Sequence, residues 1–353
     1  MSYLAKILNT TWKSVGTHNG FKLSSLLKKG SKTLPIVQRC QFCGKSIHQE
    51  NPNGIKSLRV VELKDRGILQ IAGVDAASLL QGVITNDMEM LEGEERVKAM
   101  YTMFLNAQGR VLYDALIYRH DNPAEPTYHI ECDTKILPDL HKHLKMYRLR
   151  RKVELCDVSS DFKVRCLFDN KQFPPFNGFW TPDPRLSTFM YRSVTPSNLS
   201  VSDVAGGVEV VSVEEYRRYR YQLGLAEGVD DLPPGDTLPL EDNLVFLNGV
   251  DFSKGCYLGQ ELTARTHHTG VIRKRLMPVE LKSSSDVIPA GSAIKTEKGR
   301  NAGKFRSQVG NSGLALLRVA YGRGELLHVV LPNGARCEMV AHIPSWWPID
   351  LLQ

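Results

Sequence analysis

The chain has 353 residues, 42% hydrophobic and 24% charged, enough to bury a large core spread over two or three domains. No apolar run approaches the roughly 18 uncharged residues that a membrane-crossing helix requires. The formal net charge of +7 is concentrated at the start, where Lys6, Lys13, Lys22, Lys28, Lys29, Lys32, Arg39 and Lys45 precede the first acidic residue, Glu50. The remainder is therefore close to neutral and lacks the clustered cations on which nucleic-acid binding depends.

Residues 1–50 are rich in Ser and Thr, and Leu and Lys interleave over Phe21–Lys29, so a helix there has one apolar and one basic face. This is the composition of an organelle transit peptide, with cleavage expected between Leu34 and Ile55. A matrix address implies reduced thiols, and the seven cysteines, irregularly spaced, do not form a disulfide framework. Cys40 and Cys43 make a Cys-x-x-Cys with no second pair at zinc-ribbon spacing. Cys132, Cys156, Cys166 and Cys337 lie in strand-like stretches and read as small buried hydrophobes. Only Cys256 stands in a polar, glycine-flanked context.

In chain order, Gly67–Ile71 reads as a strand, and Asp75 is placed to cap a helix from Ala76 to Gln81, closed by Gly82. Lys98–Leu105 and Arg110–Tyr118 flank the turn sequence Asn106-Ala-Gln-Gly109 and should pair as a hairpin. Tyr128–Cys132 is a further strand, and Leu137, Leu140, Leu144 and Tyr147 recur at helical spacing. Residues 169–207, dense in Pro and Gly, read as an irregular surface insertion. Glu214–Leu223 is helical, and Gly228–Pro239 reads as a stiff extended linker. Beyond Lys282, short apolar segments punctuated by glycines suggest a β-barrel or sandwich, with a second domain beginning near residue 276. The fold class is α+β, with an α+β body over residues 58–275 and a C-terminal β-barrel over 276–353.

The chemistry concentrates in Lys254-Gly-Cys-Tyr-Leu-Gly-Gln-Glu261. Gly255 and Gly259 permit a bend that presents the Cys256 thiol. Lys254 and Arg265 bring positive charge, which favours the thiolate needed for nucleophilic attack and for metal ligation. His267 and His268 are adjacent, so on a strand or loop they point apart, and no Cys or carboxylate stands at a spacing that completes a zinc site. The basic runs at 147–152 and 273–275 read as solvated faces or as contacts for an acidic partner or a folate glutamate tail.

The octapeptide 254–261 resembles the K-G-C-Y-x-G-Q-E signature of the iron-sulfur assembly branch of the glycine-cleavage aminomethyltransferase superfamily, and the likeness extends over about residues 58–350, from the strand-helix-Thr-Asn-Asp segment at Gly73–Asp87 to Trp346-Trp347. The resemblance implies a folate-binding-type body with a terminal barrel, and a role in maturing mitochondrial [4Fe-4S] proteins together with an A-type iron-sulfur carrier. It makes Cys256 a cluster ligand, with Tyr257, Gln260 and Glu261 bracing the loop. The transferases carry paired aspartates where this chain has Tyr113-Asp114, so one carboxylate is missing for proton transfer at the folate nitrogens. Asp114 alone remains to hold tetrahydrofolate, or is a polar residue on the solvent face of the hairpin.

A [2Fe-2S] cluster takes four protein ligands as a rule, yet the sequence offers one promising thiol outside its first fifty residues. The expectation is a chain that is monomeric when alone and shares a [2Fe-2S] cluster, through Cys256, with the carrier's cysteines. Two rivals stand beside it. One is a folate-dependent one-carbon transferase using Asp114; the other is a thiol redox or sulfur-transfer enzyme using Cys256 as nucleophile.

Overall fold

The computed structural model describes residues 58–93, 96–120, 125–168, 178–283 and 287–348. The expected transit peptide and the Cys40/Cys43 pair lie outside the described residues. No helix among those described is long and apolar enough to cross a membrane.

Two five-stranded sheets form the body. The first runs β10 (Glu209–Val210), β1 (Arg59–Glu62), β7 (Phe162–Phe168), β9 (Met190–Pro196), β8 (Thr181–Pro182), antiparallel except for the β1–β10 pair. The second, wholly antiparallel, runs β3 (Ala99–Leu105), β4 (Val111–His120), β5 (Thr127–Asp133), β2 (Arg66–Ala72), β6 (Glu154–Asp157).

Strand β3 is buried along its whole length because both faces of its sheet are covered. With a side-chain period of two, Tyr101, Met103 and Leu105 enter a core shared with the first sheet, through Val61, Val164, Cys166 and Phe168. Met100 and Phe104 face the other way, into a core covered by α1 (Ala76–Gln81) and α2 (Leu137–Arg148). A short helix α3 (Val201–Val204) opens on Ser200, and α4 (Val213–Leu223) opens on Ser212, whose hydroxyl accepts from Glu215 N, and closes on Gly224 at φ 74°.

The C-terminal strands β11 (Lys274–Leu281), β12 (Ala293–Thr296), β13 (Asn301–Val309), β14 (Ser312–Arg318), β15 (Leu326–Val330) and β16 (Arg336–Ala341) close into a barrel in the order β11-β14-β13-β12-β15-β16. The barrel is joined to the body by more than its linker. Leu276, Leu314 and Leu316 belong to the body's core, Trp346 Nε1 donates to Leu223 O at 2.7 Å, and Asn243 Nδ2 donates to Leu276 O at 2.8 Å.

Four sequence expectations are corrected. Asp75 precedes α1 without capping it; its Oδ2 accepts instead from Lys152 N at 2.7 Å. The described part of the supposed insertion at 169–207 is structural: β8 and β9 complete the first sheet, and Asp183, Arg185 and Arg192 are fully buried. Its prolines bound strands instead of excluding them. Gly228–Pro239 is no extended linker but a run of turns whose Asp231, Leu232 and Thr237 are buried. Cys156 is exposed on the edge strand β6, unlike Cys132, Cys166 and Cys337, so two described thiols face solvent.

Candidate functional site

The Cys256 loop is fastened at both ends to one stretch of the body, Gln81–Asp87. Thr85 Oγ1 donates to Gly249 O at 2.7 Å, and Asn86 Nδ2 donates to Tyr101 O at 2.9 Å and Asn248 O at 2.8 Å, so a buried Thr-Asn pair aligns the incoming chain. Asp251 continues the tether: its N–H donates to Thr85 O, and its Oδ1 accepts from Ser253 N at 2.6 Å and Lys254 N at 3.2 Å, the side-chain turn that Asp favours.

Lys254 then turns inward. Its Nζ donates to three backbone carbonyls, Gln81 O at 2.9 Å, Ile84 O at 2.8 Å and Asn86 O at 2.6 Å, which uses all three ammonium donors. Burial pushes its pKa down to about 8, against the opposing pull of Asp87 and Asp251. The ammonium sits 5.0 Å from the centroid of the Tyr257 ring, which is also buried and whose own pKa burial raises to about 12. Downstream, Leu258 N donates to Gly82 O at 3.0 Å, and Gln260 Oε1 accepts from Tyr257 N at 3.4 Å. Gln260 opens α5 (Gln260–Thr269).

Between these pins Gly255 and Cys256 are exposed, while Lys254 and Tyr257 point into the protein. The structure therefore places the predicted thiol at the surface of a loop held from both sides. It revises the supporting roles. Lys254 is committed to carbonyls, so it fastens the loop and is not a charge presented to the sulfur. Gly255 has ordinary φ and open space where a Cβ would be, whereas Gly259 has φ 78° and would drive a Cβ to 2.4 Å from Asn106 O. Glu261 and Arg265 lie on the exposed side of α5. His267 and His268 occupy the last turn of that helix, not a strand or loop, and the His267 ring stacks on Phe252 with centroids 3.7 Å apart. Among the described residues no three His, Cys, Asp or Glu side chains stand together as a metal site.

Asp114 lies elsewhere, in the interior and not on the solvent face of its hairpin. Its Oδ1 accepts from Gly228 N at 3.0 Å, its Oδ2 is 4.0 Å from Arg66 Nη1 and has no hydrogen-bond partner, and burial raises its pKa although Arg66 opposes this. It borders a buried ionic network missed in the sequence. Asp183 receives Arg185 through Nε at 2.9 Å and Nη2 at 2.7 Å, and also Arg192 Nε at 3.1 Å. Arg192 reaches on to Glu131 at 2.8 Å and to Glu227, and Arg66 Nε donates to Glu131 at 2.9 Å. Against the penalty of burial, Arg192, Arg185 and Arg220 hold the Glu227 carboxyl well below the usual carboxylate range.

With this geometry in view, comparison with known proteins is decisive. The chain is 39% identical to the mouse protein named iron-sulfur cluster assembly factor IBA57, mitochondrial, over 88% of this chain and 92% of that one. The chain belongs to the IBA57 family. The human IBA57 is likewise 39% identical, over 89% of this chain and 93% of its own, and the Mycosarcoma maydis IBA57 homolog is 35% identical over 89% and 91%. Residues 273–349 match the family model described as CAF17, C-terminal beta-barrel domain, which coincides with the closed barrel. Among solved structures, glycine cleavage system aminomethyltransferase T from Bartonella henselae superposes with a TM-score of 0.62 at 14% identity, covering 82% of this chain and 86% of that one. At that identity the likeness shows the fold alone, and it confirms the aminomethyltransferase-like architecture expected for this IBA57-family member.

Proposed function

We propose that this chain acts in mitochondrial iron-sulfur protein assembly by holding a [2Fe-2S] cluster, as cargo, between Cys256 and the cysteines of an A-type carrier. The observation that carries this reading is the loop itself: a solvent-facing thiol fixed by the three carbonyl bonds of Lys254 on one side and by Leu258 N on the other. A single pre-positioned thiol contributes one of the cluster's ligands with little ordering cost and leaves the others to a partner. The relatives' shared name, iron-sulfur cluster assembly factor, supports the same reading. The test is anaerobic reconstitution of the chain with an A-type carrier and an iron-sulfur donor, followed by gel filtration with absorption detection. A coloured heteromeric complex should form with the native chain and fail with Cys256→Ser. Its recovery with Cys256→Ser excludes the proposed ligation.

A second reading, tetrahydrofolate bound at Asp114, has one observation in its favour. Asp114 Oδ2 is buried and lacks a hydrogen-bond partner, an acceptor that a ring N–H of a bound pterin would satisfy. Asp114 would hold and orient the ring; the folate, when bound, would supply the one-carbon carrier. Calorimetric titration with tetrahydrofolate tests it: binding by the native chain that is lost in Asp114→Asn supports this site, and no heat with either excludes it.

A further inference from the structure

The end of α2 carries a surface that neither the core nor the Cys256 loop accounts for. Between Asp139 and Glu154 the chain has no acidic residue and six cations, Lys142, Lys145, Arg148, Arg150, Arg151 and Lys152, all exposed, none of them in an ion pair among the described residues. Helix α2 turns Leu137, Leu140 and Leu144 into the core, which leaves Met146 outward and 61% exposed. Beyond the helix stands Leu149, 78% exposed, and Val74, 68% exposed, precedes Asp75 on the turn that accepts from Lys152 N. Asp75, Leu149, Arg150 and Arg151 line an open depression of about 530 Å³ at this tip.

Leu149 is the telling residue. Its backbone takes φ 51° and ψ −115°, a conformation suited to glycine and strained for a side chain by roughly 1–3 kcal/mol. A leucine there serves neither the turn nor the core. Three exposed apolar side chains, set among six long cations that make no ion pair, although Arg148 and Arg151 also donate to Val153 O and Tyr147 O, match an interface in which apolar groups enter the acyl boundary and cations meet phosphates.

We infer that this tip is a peripheral docking site for an anionic phospholipid surface. The six-residue helix α1, about 9 Å long, begins beside Val74 and ends at Gly82, which anchors Leu258. The tip and the thiol loop are thus at opposite ends of α1, and docking leaves Cys256 free. The inference does not depend on the cluster reading.

The experiment is co-sedimentation of the full chain with phosphatidylcholine vesicles, with and without a doubly charged anionic phospholipid. Binding should require the anionic lipid and fall with added salt. Arg150→Gln/Arg151→Gln should weaken it by roughly 30-fold, from about a kcal/mol for each cation near the surface, while the equal charge change Lys298→Gln/Arg323→Gln on the barrel leaves it within about two-fold. Leu149→Gly, which relieves the backbone, should raise the melting temperature yet lower vesicle binding. If the tip variants bind as the native chain does, the binding belongs to the basic residues 1–50 and the inference fails. It fails equally if no vesicle binds, or if soluble polyglutamate competes as strongly as anionic lipid in suspension.

Discussion

Gly109, at the turn between β3 and β4, and Gly259, just before α5, face each other at contact distance: a Cβ on Gly109 would stand 2.9 Å from Gly259 O, and one on Gly259 would stand 3.2 Å from Gly109 Cα. Both have φ 78°. The hairpin turn is therefore the seat on which the Cys256 loop rests, and neither residue tolerates a side chain.

Gly259→Ala should destabilise the protein by about 1–3 kcal/mol, from left-handed backbone and collision with Asn106 O together. Under the proposed cluster sharing it should also lower the yield of the Cys256-dependent complex, because the seat shifts under the thiol. Gly255→Ala is the control, since open space surrounds that position. Urea denaturation of both variants, with the reconstitution assay, checks the contrast.

Lys254→Met should cost about 2–3 kcal/mol, because the carbonyls of Gln81, Ile84 and Asn86 lose a charged donor. The native lysine has a pKa lowered to about 8, so between that pH and the ordinary lysine range the unfolded chain binds more protons than the folded one. Its contribution to stability therefore rises with pH across that window. A stability profile from pH 7 to about 10 should show a slope that Lys254→Met removes.

Asp242 is buried, and burial raises its pKa to about 7 although the Thr237 hydroxyl and the Arg306 guanidinium oppose this. The folded chain holds this proton more tightly than the unfolded chain, so the group stabilises at low pH and that stability is lost as pH rises from about 4 through about 7. Asp242→Asn should flatten this part of the profile and raise the melting temperature at pH 8. An unchanged slope counts against protonation at this site.

Arg192→Met should be the most damaging of the set, at about 3–5 kcal/mol, because Glu131, Asp183 and Glu227 stay buried with too few counter-charges. Soluble expression and calorimetry of the variant give the measurement. Thiol labelling of the native chain separately checks burial: Cys156 and Cys256 should react, and Cys132, Cys166 and Cys337 should be protected until the chain unfolds.

The elements with clear periodicity or turn chemistry were legible in the sequence: β3 and β4 around Asn106–Gly109, α2 from its leucine spacing, and the barrel from its glycine punctuation. The Cys256 loop was legible as a site because its composition is odd and its resemblance specific. Arg185 and Arg192 were not, since an arginine reads as a surface residue until remote carboxylates, here Glu131 on β5 and Glu227 beyond α4, are known to meet it. Pro182 and Pro184 add to the surface-like composition of that stretch. Thr85 and Asn86 escaped for a related reason: their partners are backbone carbonyls of chain more than 160 residues away, at Gly249 and Asn248.

The sharing of Leu276, Leu314 and Leu316 with the body's core means the barrel cannot swing open as a separate jaw. Arg275, stacked 4.2 Å over the Phe246 ring and bonded to Leu240 O, acts as a rivet across the same seam. A chain so welded offers a fixed anvil: the Cys256 loop and the barrel keep one geometry, and neither gains reach from a hinge between them.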